Sequence, residues 1–199
     1  RNRKNLRRAT ALLAEAGWRV EAGKLVDPNG APFTFEVLLR QGDSGNQTVF
    51  DIYTPALERL GISVTVSSVD DAQYTARASE YDFDMTTFRR DLSLSPGNEQ
   101  RLYWGRAGVT TPGTRNLMGA DSAAIEAMID AMLASETRQD FTAAVRALDR
   151  VLTSGRYVIP IWQYGVGRIA HARQLRFPDT LPIYGDRPGF MPEVWWWQD

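Results

Sequence analysis

The 199-residue chain contains no cysteine. That absence excludes disulfides, thiolate catalysis and cysteine-ligated metals, and it suits oxidising and reducing compartments equally. Histidine is nearly absent too: the single one, His171, falls in a short apolar run and reads as a structural or surface residue rather than a catalyst or a metal ligand. No window approaches the uninterrupted apolar length of a membrane span. The formal net charge of -1 excludes a strongly basic nucleic-acid binder and gives no general pull toward an anionic membrane. Internal repeats and low-complexity tracts are lacking. No Gly-x-Ser-x-Gly elbow occurs, so Ser93 and Ser95 have no sign of an activating base and hydrolysis by serine is not indicated. The opening, Arg1 to Arg8, has no apolar secretion-signal core; it reads as a solvated helix face, as at the start of a mature fragment.

What remains is the composition of a folded α/β chain, long enough to bury a core. Leu6, Ala9, Leu12, Leu13 and Ala16 lie at helical spacing, with Gly17 as the stop. Lys24–Val26 and Phe33–Leu39 flank the turn signature Asp27-Pro28-Asn29-Gly30, which predicts a hairpin. A helix is expected over Asn46–Leu60, kinked at Pro55. A half-buried strand follows, with Ile62, Val64 and Val66 on one face. Asp70 is placed to cap a short helix through Tyr74 and Arg77. Tyr81–Phe88 reads as the next strand, with Asp82 and Asp84 as edge polarity. Apolar stripes through Ile125, Met128, Ile129, Met132 and Leu133, and through Phe141, Val145, Leu148, Val151 and Leu152, give two helices, the second with Asp140 as its expected cap and Gly155 as its stop. Val158–Gln163 and Gly167–Ala172 are expected strands. Of the three consecutive tryptophans Trp195–Trp197, at least one should pack inward, because neighbours on an extended tail face opposite ways. Strands alternating with helices make the class α/β.

The segment from Arg89 to Ala120 stands apart. It shows neither helical nor strand periodicity, it follows a predicted strand, and it is rich in donors and acceptors. A polar segment leaving a strand end is where α/β proteins hold ligands. Long loops inside a compact domain are functional or disordered, and Tyr103, Trp104 and Leu117 argue for order. Trp104 offers an apolar wall, while Asn98, Glu99 and Asn116 offer hydrogen bonds to an extended backbone. Arg89, Arg90 and Asp91 form a charged cluster at the strand end, whose plain alternative is a solvated ion-pair group.

Several motifs, in order, resemble the C-terminal part of extracellular solute-binding proteins of family 5, the dipeptide- and oligopeptide-binding components of ABC importers. They are Ala11-Leu-Leu-Ala-Glu-Ala-Gly-Trp18, Lys24-Leu-Val-Asp-Pro-Asn-Gly30, Leu57-Glu-Arg-Leu-Gly-Ile62 and Tyr81-Asp-Phe-Asp-Met85. Val69-Asp70 with Tyr74, Ser93-Leu-Ser-Pro-Gly-Asn-Glu-Gln100, Tyr103-Trp-Gly105, Pro112-Gly-Thr-Arg-Asn116, and Leu148-Asp-Arg-Val-Leu152 before Ile159-Pro-Ile-Trp162 complete the set. They are similar to the YejA-like branch, associated with uptake of oligopeptides and microcin C.

The resemblance implies an α/β fold, one lobe of a bilobed, type II-like periplasmic binding protein, with a mixed sheet flanked by helices. Residues 1–199 would be the C-terminal ligand-binding lobe, with the N-terminal lobe and signal peptide absent. It implies a periplasmic protein without catalysis or cofactor, whose partners are an oligopeptide or peptide-like ligand, the ABC permease subunits and the missing lobe. It also implies an aspartate, at Asp91, holding a ligand α-ammonium group. Arg89, Arg90, Ser93, Asn98, Glu99, Trp104, Asn116 and Trp162 complete the expected ligand-binding set. Two alternatives stand beside it: a hydrolase using acidic residues, and a protein-interaction module using the aromatic C-terminal tail.

Overall fold

The computed structural model describes residues 3–90, 95–163, 166–187 and 189–199. It divides into two compact units, Arg1–Val158 and Ile159–Asp199.

In the first unit, helix α1 (Arg3–Glu15) leads into β1 (Arg19–Glu21) and β2 (Lys24–Val26), which pair antiparallel. The expected hairpin of β2 with the next strand is therefore displaced by one element. Residues 27–30 do turn, with Asp27 Oδ1 accepting from the amides of Asn29 and Ala31 at 2.8 Å. Only an isolated bridge, Val26 to Pro32, links the two sides of that turn. Close approach of chain segments requires Gly61, where a Cβ would lie 2.5 Å from the Leu25 nitrogen.

Then come β3 (Thr34–Arg40), α2 (Ser44–Glu58), β4 (Ser63–Val69), α3 (Asp71–Ser79) and β5 (Met85–Thr86). The three strands form a parallel sheet in the order β4-β3-β5. Alternation along β3 decides which helix covers which face. Val37 and Leu39 pack with Phe50 of α2, and Leu38 packs with Tyr74 and Ala78 of α3. With both faces covered, the three residues are buried to 1% exposure or less, the pattern of a central parallel strand. Both helices start on aspartate caps: Asp43 accepts from the Asn46 amide, and Asp70, as expected, from that of Gln73.

The strand expected over Tyr81–Phe88 shrinks to Met85–Thr86. Tyr81 sits at φ +57°, off the extended path. Asp82 pairs with Arg77, and the Asp84 carboxylate accepts from the Glu36 amide at 2.8 Å, so side chains replace the ladder there. Two short helices, α4 (Glu99–Trp104) and α5 (Ala107–Thr110), lie in the segment read as aperiodic loop. At six and four residues they are too short to show a period.

The two longer helices, α6 (Ala123–Leu133) and α7 (Arg138–Gly155), pack together as expected. Their core holds Ile125, Ile129, Leu148, Trp104 and Ala120. The cap of α7 is Thr137, which accepts from the Asp140 amide, not Asp140 itself. Gly155 is the last helical residue and Arg156 turns the chain at φ +57°.

The second unit has β6 (Leu175–Arg176), α8 (Met191–Val194) and β7 (Trp196–Trp197), with β6 and β7 antiparallel. Trp195 is its buried tryptophan, packed on Phe177 at 4.4 Å and donating from Nε1 to the Gly185 carbonyl at 2.8 Å. Trp196 and Trp197 are exposed. Neither Val158–Gln163 nor Gly167–Ala172 forms a strand among the described residues. Val158, Ile159, Ile161 and Trp162 are all more than half exposed; their alternation is real, but no described strand pairs with them.

Candidate functional site

In the strand order β4-β3-β5 the chain first steps from β3 to one side and then returns to the other. The crevice outside the carboxyl ends of β3 and β5 is therefore a topological switch point, where open α/β sheets hold ligands. The segment from Thr87 to Arg90 leaves β5 at that end.

Short bonds fix this edge. Thr86 Oγ1 donates to the Leu38 carbonyl at 2.8 Å, so the Tyr74 hydroxyl, 2.9 Å away, is the donor to Thr86. On β3, Glu36 takes a bidentate pair from Arg77 at 2.9 and 3.0 Å. That pairing holds the Glu36 carboxyl below the usual carboxylate range.

Beyond β5, Arg90 lies among aromatic rings. Its guanidinium carbon is 3.4 Å from the centroid of Tyr103, 5.2 Å from Trp104 and 5.8 Å from Phe88. Such cation–π contacts strengthen as water is removed. Burial here pushes the Arg90 guanidinium below its ordinary value. Arg115 donates to the Tyr103 hydroxyl at 3.2 Å, so one ring is bracketed by two cations. Glu99 is half-buried beside them and its Oε1 accepts from the Gly97 amide at 3.0 Å and from Gln100 at 3.2 Å. The Gly97 bond is the main cause holding its carboxyl low.

Other expected site residues have different work. Asn116 is fully buried. Its Nδ2 donates to the carbonyls of Gly105 and Ala120, and its Oδ1 accepts from the Ala120 amide, at 2.9–3.0 Å. With its amide engaged inside, it ties the loop together rather than facing a ligand. The fit is close: a Cβ on Gly108 would meet the Asn116 Cβ at 2.7 Å. Trp104 is 7% exposed and belongs to the α6–α7 core, with Tyr157 at 6.4 Å; its role as an open apolar wall gives way to packing. Asn98 is exposed at the start of α4 and makes no capping bond. Arg89 is exposed, and Trp162 is an exposed residue of the second unit. Asp91 and Ser93 lie outside the described residues.

Tyr103, Arg115 and Phe88 were not anticipated as site residues. The signal for them was in plain view, since an aromatic pair amid arginines invites stacking. His171 meets Phe177 and Trp195 edge-on at 5.4 and 5.3 Å, a packing role. Among the described residues no group of three or more potential metal ligands occurs, and no helix is long and apolar enough to cross a membrane.

Comparison with known proteins points one way. Residues 1–110 match the model described as "Bacterial extracellular solute-binding proteins, family 5 Middle". The chain is 40% identical over 195 residues to the uncharacterized protein y4wM of Sinorhizobium fredii, covering 98% of this chain and 29% of that one. It is 37% identical over 197 residues to the "Probable peptide-binding protein YejA" of Agrobacterium fabrum, covering 98% and 31%. The chain thus spans about 30% of the length of these curated relatives. Among solved structures, the oligopeptide-binding protein AppA of Bacillus subtilis, in complex with a nonapeptide, superposes with a TM-score of 0.71. Identity there is 17%, over 97% of this chain and 37% of AppA, so the likeness is one of fold. The fold is that of bilobed periplasmic binding proteins, α/β with a sheet flanked by helices. The strands described in that sheet are all parallel rather than mixed.

Proposed function

The chain belongs to the bacterial extracellular solute-binding proteins of family 5, and on that footing we propose that it forms one wall of a peptide-binding cleft. In this reading, residues 1–199 supply the C-terminal lobe of a periplasmic substrate-binding protein. Oligopeptides or peptide-like compounds are captured between that lobe and an N-terminal one and handed to ABC permease subunits. The family is one of binding proteins, so no turnover is expected.

The observation that carries the reading is the switch point of the parallel sheet, with the charged segment Arg89–Asp91 following β5 in the chain. The choice of peptides is supported by the relative named as peptide-binding, at 37% identity. Asp91 is the acceptor for the ligand α-ammonium group. A carboxylate meeting an ammonium makes a charge-assisted bond, roughly twice as strong as a neutral one. Asn98, Glu99 and Arg89 are the further polar residues this reading assigns to the ligand.

Native mass spectrometry of the full-length protein should reveal a co-purified peptide. In calorimetry, Asp91→Asn should weaken binding of a free-amine peptide by about 1.5–3 kcal/mol, the range for hydrogen bonds to charged groups. The N-acetylated peptide should be affected much less. A co-purified sugar or metal chelate, with no affinity for any peptide, would overturn the reading; equal losses for both peptides would remove Asp91.

A further inference from the structure

The Arg90 cation is favoured by Tyr103 and Glu99, yet one edge of its guanidinium has no acceptor. Its Nε and Nη2 are both buried, and neither has a hydrogen-bond partner. These two nitrogens share one edge of the guanidinium. Their N–H bonds run parallel along it, in the spacing that meets both oxygens of a carboxylate. The flat face of the group is already taken by Tyr103. Tyr103 is itself engaged by Arg115 through its hydroxyl, and Phe88 meets it edge-on at 6.5 Å. Glu99, the acid nearest in effect, directs Oε1 to Gly97 and Gln100 and accepts nothing from the free edge of Arg90. A buried charged donor left unpaired is among the costliest features a fold can retain, and native proteins satisfy nearly all of them.

We infer that the Nε/Nη2 edge of Arg90 is a subsite for a carboxylate of the bound solute, held side-on within the aromatic enclosure of Phe88, Tyr103 and Trp104. This deepens the peptide-binding reading and rests on it. A carboxylate is fully met by that two-donor edge, whereas a phosphate, which can also bind it through two oxygens, brings further charged oxygens that need donors of their own. Both nitrogens are closed to water, so a carboxylate must open a path to them, and relief of the unpaired charge offsets that opening. Once seated, the pair lies where water cannot dilute it. A peptide has two sources of such a group, its C-terminus and an acidic side chain.

The test uses the full-length protein with tri-alanine, its C-terminal amide, Ala-Glu-Ala amide and sodium acetate as probes. Arg90→Lys, which keeps the charge and the stem but loses the fork, identifies the Arg90 Nε–H resonance in NMR spectra. Tri-alanine should bind at least tenfold more tightly than its amide, and should move the Arg90 resonance while the amide does not. Both differences should vanish in Arg90→Lys. Recovery of tight binding by Ala-Glu-Ala amide would show that the subsite accepts a side-chain carboxylate as well as the C-terminus; no recovery would restrict it to the C-terminus. Equal affinities for all three peptides, with the resonance unmoved, would overturn the subsite and leave peptide binding standing. Should no peptide bind, acetate decides: a saturable shift absent from Arg90→Lys keeps the subsite and removes the peptide, and no shift removes both.

Discussion

The two units of the chain differ in how much of their apolar content they enclose. In Arg1–Val158, Leu38, Leu39, Ile125 and Ile129 are buried to 1% or less, each enclosed by helices of the same unit. In Ile159–Asp199, Ile159, Ile161, Trp162, Val166 and Ile183 are more than half exposed, and Trp195 is the buried anchor. Both segments have similar residues to bury. The difference is that a βαβ unit brings its own cover for each strand face, whereas an extended segment needs a partner to pair with. Hydrophobicity marks what wants burial; topology decides what is buried.

The sharpest way to break that contrast is Leu38→Ala, which removes a side chain enclosed by Tyr74 and Ala78. Urea unfolding should show a loss of about 2–5 kcal/mol, the range for large-to-small core changes; a loss under 1 would mean the sheet core is loosely packed. Next, Asn116→Ala strands three buried backbone partners, at Gly105 and twice at Ala120. The cost should fall toward the upper end of about 1–3 kcal/mol, and amide exchange should quicken over residues 105–120.

A smaller effect is expected from Glu36, and it depends on pH. Its folded-state value is lowered by Arg77, so its stabilisation is complete above the ordinary carboxylate range and is lost as pH falls through the lowered native value. Glu36→Gln should therefore destabilise the protein at neutral pH and flatten the acid limb of the stability curve. Identical acid limbs for the two proteins would show the pair to be idle. Smallest of all, Ile161→Ser should change the stability of the 199-residue chain by no more than about 0.5 kcal/mol, as for other exposed positions. A cost comparable to Leu38→Ala would erase the distinction between the units.

Sequence reading succeeded where a pattern was long and its cover local. The alternation in β3 and β4, the stripes of α6 and α7 and the Asp70 cap each follow from a few neighbouring residues. It missed α4 and α5 because one or two turns carry no measurable period. It placed strands at Val158–Gln163 and Gly167–Ala172 because alternation reports a face, not the presence of a neighbour to pair with. At the site, polarity misled for Asn116: a side chain with two donors and one acceptor is as well suited to tying a loop as to meeting a ligand. Trp104 misled in the reverse sense, since a large ring amid polar residues had a core beneath it. Arg90 was legible as a charge, but the ring stacked on it and its unanswered edge are products of the fold.

The two-residue β5 has a consequence for motion. The parallel ladder holds it through only two register positions, Met85 and Thr86, and much of its anchorage comes from the side chains of Asp84, Thr86 and Tyr74. Side-chain bonds break one at a time, whereas a long ladder opens as a block. The strand end that feeds Arg90 should thus detach in sub-global openings while β3 and β4 stay paired. The Arg90 edge can then be uncovered many times within the lifetime of one folded molecule, each opening baring only the part of β3 that Met85 and Thr86 cover.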